Sequence, residues 1–220
     1  MDEVIRQLKP LSTMRAYKKG ANVLFQGEVP RRAFIVRDGV IRAYTITSSG
    51  EERVVALYGR GDIFPLTWLL GETTNTLFYY DAVSEARLLS ASKENFLNAT
   101  TKTTEGLTQM LRFVGNQYTS LLLRITGLEQ SRAVEKIGFT LYYLLFRYGH
   151  ETTPGVYTVN VKLSQLMIAN LVGLTRESST KNLKILRDKG IIDYQSSIYT
   201  IDKLKLEQFL GEDSFRDIAI

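Results

Sequence analysis

The sequence predicts an α+β chain in three parts: an N-terminal double-stranded β-helix of the jelly-roll type over residues 1–104, a long helix over 105–128, and a winged helix-turn-helix over 129–220. Three observations predict it. Short β-rich runs separated by turn residues recur from about Leu11 to Ser92. An apolar seam at heptad spacing follows from Leu107. Two short helical patterns then meet at Gly173, with a hairpin pattern directly behind them.

The jelly roll rests on alternation. Residues 33–36 precede the turn Arg37-Asp38-Gly39, residues 40–46 precede Ser48-Ser49-Gly50-Glu51, and residues 53–58 precede Gly59-Arg60-Gly61-Asp62. The Asp-Gly and Ser-Gly steps supply residues that tolerate positive φ in tight turns. Short strands at this spacing build an antiparallel barrel or sandwich. Near Lys93 the period changes, and Ser92 is placed to cap a helix.

The long helix carries Leu107, Leu111, Val114, Tyr118, Leu121, Ile125 and Leu128 at spacings of 4, 3, 4, 3, 4, 3. A 3.5-residue period held without drift marks a two-helix coiled coil, because packing on the chain's own domain follows the 3.6 period of a straight helix. These positions form the expected dimerisation seam. Gly127 to Ser131 reads as a hinge. Ala133, Ile137, Leu141, Leu144 and Leu145 form the apolar face of another helix, which stops at Gly149, and residues 156–161 read as a strand.

Composition narrows the chemistry. Apolar residues make up 44% and charged residues 23% of the 220, and the net charge of +5 permits an anionic partner without requiring one. The absence of cysteine removes disulfides, iron–sulfur clusters, thiolate zinc sites and thiol-based redox sensing. The lone histidine, His150, sits in a polar turn, so neither a Ser-His-Asp triad nor a His-rich metal site of a barrel enzyme has material to form. Haem is disfavoured for the same reason. Met1-Asp2-Glu3-Val4 carries no leader signal, and the longest uncharged stretches are too short for a membrane span, so a cytoplasmic protein without membrane partners is expected.

Residues 163–192 carry the functional signal. Ser164 caps a helix bearing Leu166, Ala169, Asn170 and Leu171, and Gly173 closes it with the backbone freedom of a left-handed C-cap. Leu174 plugs the corner. Thr175 caps a second helix that buries Leu183 and Leu186, while Arg176, Glu177 and Lys181 occupy its first two turns. The N-terminal half of such a helix enters the DNA major groove. There Arg offers a fork to guanine, Glu accepts from cytosine, and Lys donates to guanine with looser geometry. Ser164, Gln165, Thr175, Ser178, Ser179 and Lys184 are the expected phosphate contacts. Between Lys162 and Gly190, six basic residues face two acidic ones, a local charge of +4. Residues 190–194 and 198–201, joined by Ser196-Ser197, form the wing hairpin, with 156–161 as its third strand.

Val172-Gly173-Leu174-Thr175-Arg176-Glu177-Ser178, followed by Leu183-Lys184-Ile185-Leu186 and Gly190-Ile191-Ile192, resembles the Crp/Fnr family of transcription regulators. The likeness runs over nearly the whole chain. Gly20, Phe25-Gln26-Gly27-Glu28, Gly39 and Gly61-Asp62 fall at the turns of the family's cyclic-nucleotide-binding-type β-roll. The resemblance implies a sensor roll, a homodimer and a palindromic operator, with RNA polymerase as a further partner of activators. Arg176 and Glu177 match the family's base-reading pair, Lys181 stands where many members have Arg, and Ser164 matches a phosphate-contacting cap.

The sensor end departs from the family. Members that bind cyclic AMP hold its ribose with a Glu and its phosphate with an Arg; here those positions carry Leu66 and Thr76, and the adenine-contacting Thr-Ser falls on Leu121-Leu122. Burying a phosphate without a cation costs several kcal/mol, so cyclic AMP is not expected to bind. Phe64, Leu66, Trp68, Phe78, Tyr79 and Tyr80, with Tyr118 and Leu122, form either a pocket for an unidentified apolar effector or a packed core. Arg42, Arg53 and Arg124 are available to an acidic effector. Three functions therefore stay open: an effector-controlled regulator, a ligand-independent one, and a cyclic-nucleotide-responsive module.

Overall fold

Helix α1 (Asp2–Leu8) opens the first of two compact units, Met1–Asn116, by burying Val4 and Leu8. The computed structural model describes residues 1–211. The strands β1 (Thr13–Tyr17), β2 (Asn22–Leu24), β3 (Ala33–Asp38), β4 (Ile41–Ile46), β5 (Glu52–Tyr58) and β6 (Ile63–Phe64) come next, then α2 (Leu66–Leu70), β7 (Tyr79–Ala82) and β8 (Ala86–Ala91). They form two antiparallel sheets among the described residues, ordered β1-β8-β3-β6 and β2-β7-β4-β5. Both pair strands distant in sequence, as a jelly roll requires.

Alternation along β3 and β8 divides the apolar side chains between two cores. Ala33, Ile35, Leu89 and Ala91 face the helices α1, α3 (Lys93–Thr101) and the start of α4 (Thr104–Glu129), where Trp68, Phe96, Met110 and Phe113 complete one cluster. Phe34, Val36 and Leu88 face the roll interior with Leu24, Ile41, Phe64 and Tyr80. Ser92 caps α3 by accepting from the Asn95 amide at 3.2 Å, as its position in the sequence predicts. The turn at Gly39 has φ +80°, and a Cβ there would overlap the Glu85 carbonyl, so only glycine fits.

The second unit begins at Gln117 within α4. Its central helix α5 (Ala133–Tyr148) is buried on nearly every side from Ile137 to Leu145, as suits a core helix covered by several elements. Strands β9 (Gly149–Thr153) and β10 (Val156–Val159) precede α6 (Gln165–Val172) and α7 (Arg176–Asp188). The wing follows as β11 (Ile192–Gln195) and β12 (Ile198–Asp202), then α8 (Lys203–Leu210). The sheet order is β11-β12-β10-β9. Gly127 permits the α4–α5 corner: a Cβ there would lie 2.8 Å from Cβ of Phe139. The buried Glu207 carboxylate accepts from Tyr142 Oη at 3.0 Å and ties α8 to α5.

Some elements were invisible to the periodic patterns. The segment expected as a polar turn around His150 is the strand β9; its side chains past Gly149 are almost all exposed, so they carry no alternation, and pairing with β10 alone makes it a strand. The helices α1, α2 and α8 span only 7, 5 and 8 residues, too short for a helical period to stand out.

Candidate nucleic-acid interface

Two capping hydrogen bonds and one left-handed residue set the reading head. Ser164 Oγ accepts from the Met167 amide at 3.1 Å and starts α6. Gly173, at φ +70°, ends α6. Thr175 Oγ1 accepts from the Ser178 amide at 3.1 Å and starts α7 two residues later. Each cap contributes about 1 kcal/mol, which matters more here than propensity because α6 has only 8 residues.

The two helices are clamped by Ile168, Ala169, Leu171 and Val172 on α6 and by Leu183 and Leu186 on α7, all buried. Leu166, also on α6, is 52% exposed, because burial follows the row from Ile168 to Val172. Thr180 Oγ1 donates to Gln165 Oε1 at 2.6 Å, fixing the crossing of α6 and α7. Gln165, an expected phosphate contact, thus spends its oxygen inside the motif.

Arg176, Glu177 and Lys181 are all exposed, as are Ser164, Thr175 and Lys184, with Ser178 half-buried. Ser179, expected at a phosphate, is placed elsewhere. It is fully buried, so it cannot reach a DNA phosphate. It lies four residues before Leu183 and seven before Leu186, which puts it on the buried row of α7. Its hydroxyl has no hydrogen-bond partner among the described residues.

Residues that the sequence did not mark for this role hold the head in place. Arg187 Nε bonds Asp193 at 2.9 Å and its guanidinium lies 5.0 Å over the Tyr194 ring, bracing the wing against α7. Arg124 on α4 donates from Nη2 to the Leu171 carbonyl at 2.9 Å, in the last turn of α6. A cation suits that end of a helix. Burial lowers the Arg124 pKa, yet the carbonyl and the Tyr143 face, 5.4 Å away, receive the charge. Arg124 is therefore spent inside the reading unit rather than offered to an effector. The wing tip turns through Ser196 and Ser197 at φ +52° and +66°, two non-glycine residues in left-handed backbone, the geometry that matches strand twist in a two-residue hairpin.

Most of the aromatic residues expected to line a pocket fill cores instead. Phe64 stacks on Phe34 at 5.3 Å and on Tyr80 at 5.1 Å, with Tyr58 at 5.3 Å, inside the roll. Phe78 packs on that same cluster. Burial pushes the Tyr80 phenol up to about 12. Leu66 and Trp68 belong to the other cluster, across the β1-β8-β3-β6 sheet. Tyr79 faces outward, stacked on Tyr44 at 5.3 Å. The set is therefore divided, because adjacent strand residues face opposite sides of a sheet.

The two positions expected to face a cyclic nucleotide, Leu66 and Thr76, carry no charged side chain. Leu66 offers no acceptor, and the buried Thr76 spends its hydroxyl on the Phe25 and Glu28 carbonyls. Arg42 is held by Asp81 and Glu52; burial disfavours its charge, but those two carboxylates outweigh burial and raise its pKa. Arg53 pairs with Glu51. Among the described residues, no group of three or more His, Cys, Asp and Glu is placed to hold a metal, and no helix is long and apolar enough to cross a membrane.

On α4, Leu107, Leu111, Tyr118, Leu121, Leu122, Ile125 and Leu128 are exposed and Val114 is half-buried, whereas Met110, Phe113 and Leu123 are buried. The heptad seam is thus a face that its own chain leaves uncovered.

Comparison with known proteins gives concordant matches. Residues 14–103 match the family described as Cyclic nucleotide-binding domain, and residues 136–209 match Crp-like helix-turn-helix domain. The chain is 25% identical over 191 residues to the Global nitrogen regulator of Nostoc sp., covering 86% of this chain and 85% of that protein. It is also 25% identical over 207 residues to Regulatory protein HlyX of Actinobacillus pleuropneumoniae, covering 93% and 81%. A CooA mutant from Carboxydothermus hydrogenoformans has the same fold, with a TM-score of 0.76, 23% identity, and 94% of each chain covered. FixK2 from Bradyrhizobium japonicum gives 0.73 at 17% identity, covering 90% of this chain and 96% of its own.

Proposed function

Because the chain belongs to the Crp/Fnr family of transcription regulators, we propose that it reads a palindromic DNA operator as a cytoplasmic homodimer and that its β-roll needs no cyclic nucleotide to do so. The observation that carries this reading is α7. One row of it is buried in the head, and its first two turns present Arg176, Glu177 and Lys181 to solvent at a capped N-terminus. In this reading Arg176 and Lys181 donate to guanine and Glu177 accepts from cytosine. Ser164, Thr175, Ser178 and Lys184 meet phosphates.

Residues 105–128 supply the dimer contact. Covering the exposed seam with a second copy removes apolar surface from water at roughly 25 cal/mol per Å². Two heads then meet half-sites about 34 Å apart. The roll, residues 1–104, has its interior taken by the Phe34, Phe64 and Tyr80 stack, which argues against a receptor for an apolar effector in that interior. RNA polymerase is the partner this architecture implies for an activator.

Anisotropy titration of an operator duplex at a series of salt concentrations tests the DNA assignment. Affinity should fall by orders of magnitude between 50 and 200 mM salt, as phosphate neutralisation requires; a salt-independent affinity contradicts it. Calorimetry with cyclic AMP should give no binding heat, and binding at micromolar Kd would overturn the account of the roll.

A further inference from the structure

A second charged feature lies in the first unit, outside the roll interior. Met14, Arg37, Asp38, Arg60 and Arg87 line a surface cleft of about 300 Å³. The residues come from β1, β3, the β5–β6 turn and β8, four separate segments.

Their convergence is built by the backbone. In the β3–β8 ladder Val36 pairs with Leu88 and Asp38 with Arg87, so Arg37 is the extra residue of a β-bulge. A bulge turns its residue out of the strand's alternation and re-aims the side chain. Arg60 is fixed to the same place: the Gly61 amide donates to the Val36 carbonyl at 2.8 Å, and the Val36 amide donates to the Asp62 carbonyl at 2.9 Å. The Gly59 amide in turn donates to Asp62 Oδ2 at 2.7 Å and closes the turn. The two arginines are therefore held by the residue next to the bulge.

Charge in the cleft is unbalanced. Asp38 is the only acid in the lining, against three arginines. Its Oδ1 accepts from the Gly39 amide at 3.0 Å and its Oδ2 from Arg87 Nη2 at 3.1 Å, so both oxygens are taken. Arg37 and Arg60 have no ion pair or side-chain hydrogen bond among the described residues. Two forked donors beside a third, around a cleft at the lower end of ligand-site volumes, match a small molecule with two oxyanion groups.

We propose that the Arg37–Arg60–Arg87 cleft binds a small dianion, a diphosphate or a dicarboxylate, on the outer surface of the roll. This makes the outside of the roll, rather than its filled interior, the place where an anionic metabolite is bound. It does not depend on how the reading head contacts DNA.

Isothermal titration of the full chain with sodium pyrophosphate and with sodium succinate, against sodium chloride at matched ionic strength, tests it and separates the two chemistries. Wild type should bind one of them with Kd below about 1 mM. The double variant Arg37→Gln/Arg60→Gln should bind at least tenfold more weakly, while Lys18→Gln/Lys19→Gln, with the same change of net charge at exposed sites, should bind as wild type. Arg37 is half-buried and Arg60, Lys18 and Lys19 are exposed; circular dichroism checks that both variants fold. No heat beyond the chloride control overturns the proposal. So does an unchanged isotherm in the arginine variant, or an equal loss in the lysine variant.

Discussion

The reading head and the β-roll treat their most conspicuous side chains in opposite ways. The head puts Arg176, Glu177 and Lys181 in solvent and buries Leu183, Leu186 and the Ser179 hydroxyl on the opposite row of the same helix. The roll takes Phe34, Phe64 and Tyr80 inside and stacks them at 5.1–5.3 Å. Side chains in the head are aimed outward and free to make new bonds; those in the roll have already used their surface on one another. A cluster of aromatic residues is thus better evidence for packing than for a pocket, and a row of exposed charges on a capped helix is better evidence for a partner. The roll's arginines follow the same rule: Arg42 and Arg53 are satisfied internally, whereas Arg37 and Arg60 face outward.

Breaking the dimer seam should have the largest effect. Leu111→Glu/Leu121→Glu should halve the sedimenting mass and weaken operator binding by about 10²–10⁴-fold, the avidity of two linked heads; a retained dimer would remove the seam from the account. Phe64→Ala comes next. If the roll interior is a packed core, this costs about 3–5 kcal/mol in chemical denaturation, whereas a residue lining an open pocket loses much less. Arg176→Ala should cost about 1–3 kcal/mol in operator affinity and relax specificity at one base pair per half-site. Ser179→Ala should have the smallest effect, a gain of at most about 1 kcal/mol in stability, because it removes a buried hydroxyl without a partner. DNA affinity and its salt slope should not change, which separates burial from phosphate contact.

The head was legible in the sequence because local rules decide it. Ser164 and Thr175 cap the residues that follow them, and Gly173 supplies the left-handed turn, whatever the rest of the chain does. The heptad spacing of α4 likewise marked the face its own chain leaves exposed. Ser179 was hidden by its polarity, although its spacing from Leu183 and Leu186 already put it on the buried row. The roll was legible as strands but not as an interior. Which core receives Phe64 and which receives Trp68 depends on β3 pairing with β6 and β8, partners 28 or more residues away in sequence. The bulge at Arg37 is set by the same distant pairing, so nothing near Arg37 announces it.

Selection of bound sequences from a random DNA pool reads out directly whether two heads engage one palindromic operator. A homodimer with two reading heads should enrich a two-fold symmetric motif whose half-sites are centred about 10–10.5 base pairs apart, or a multiple of that. The Arg176→Ala variant should lose preference at one symmetric pair of positions. An unenriched pool, or a motif without two-fold symmetry, would contradict that mode of binding.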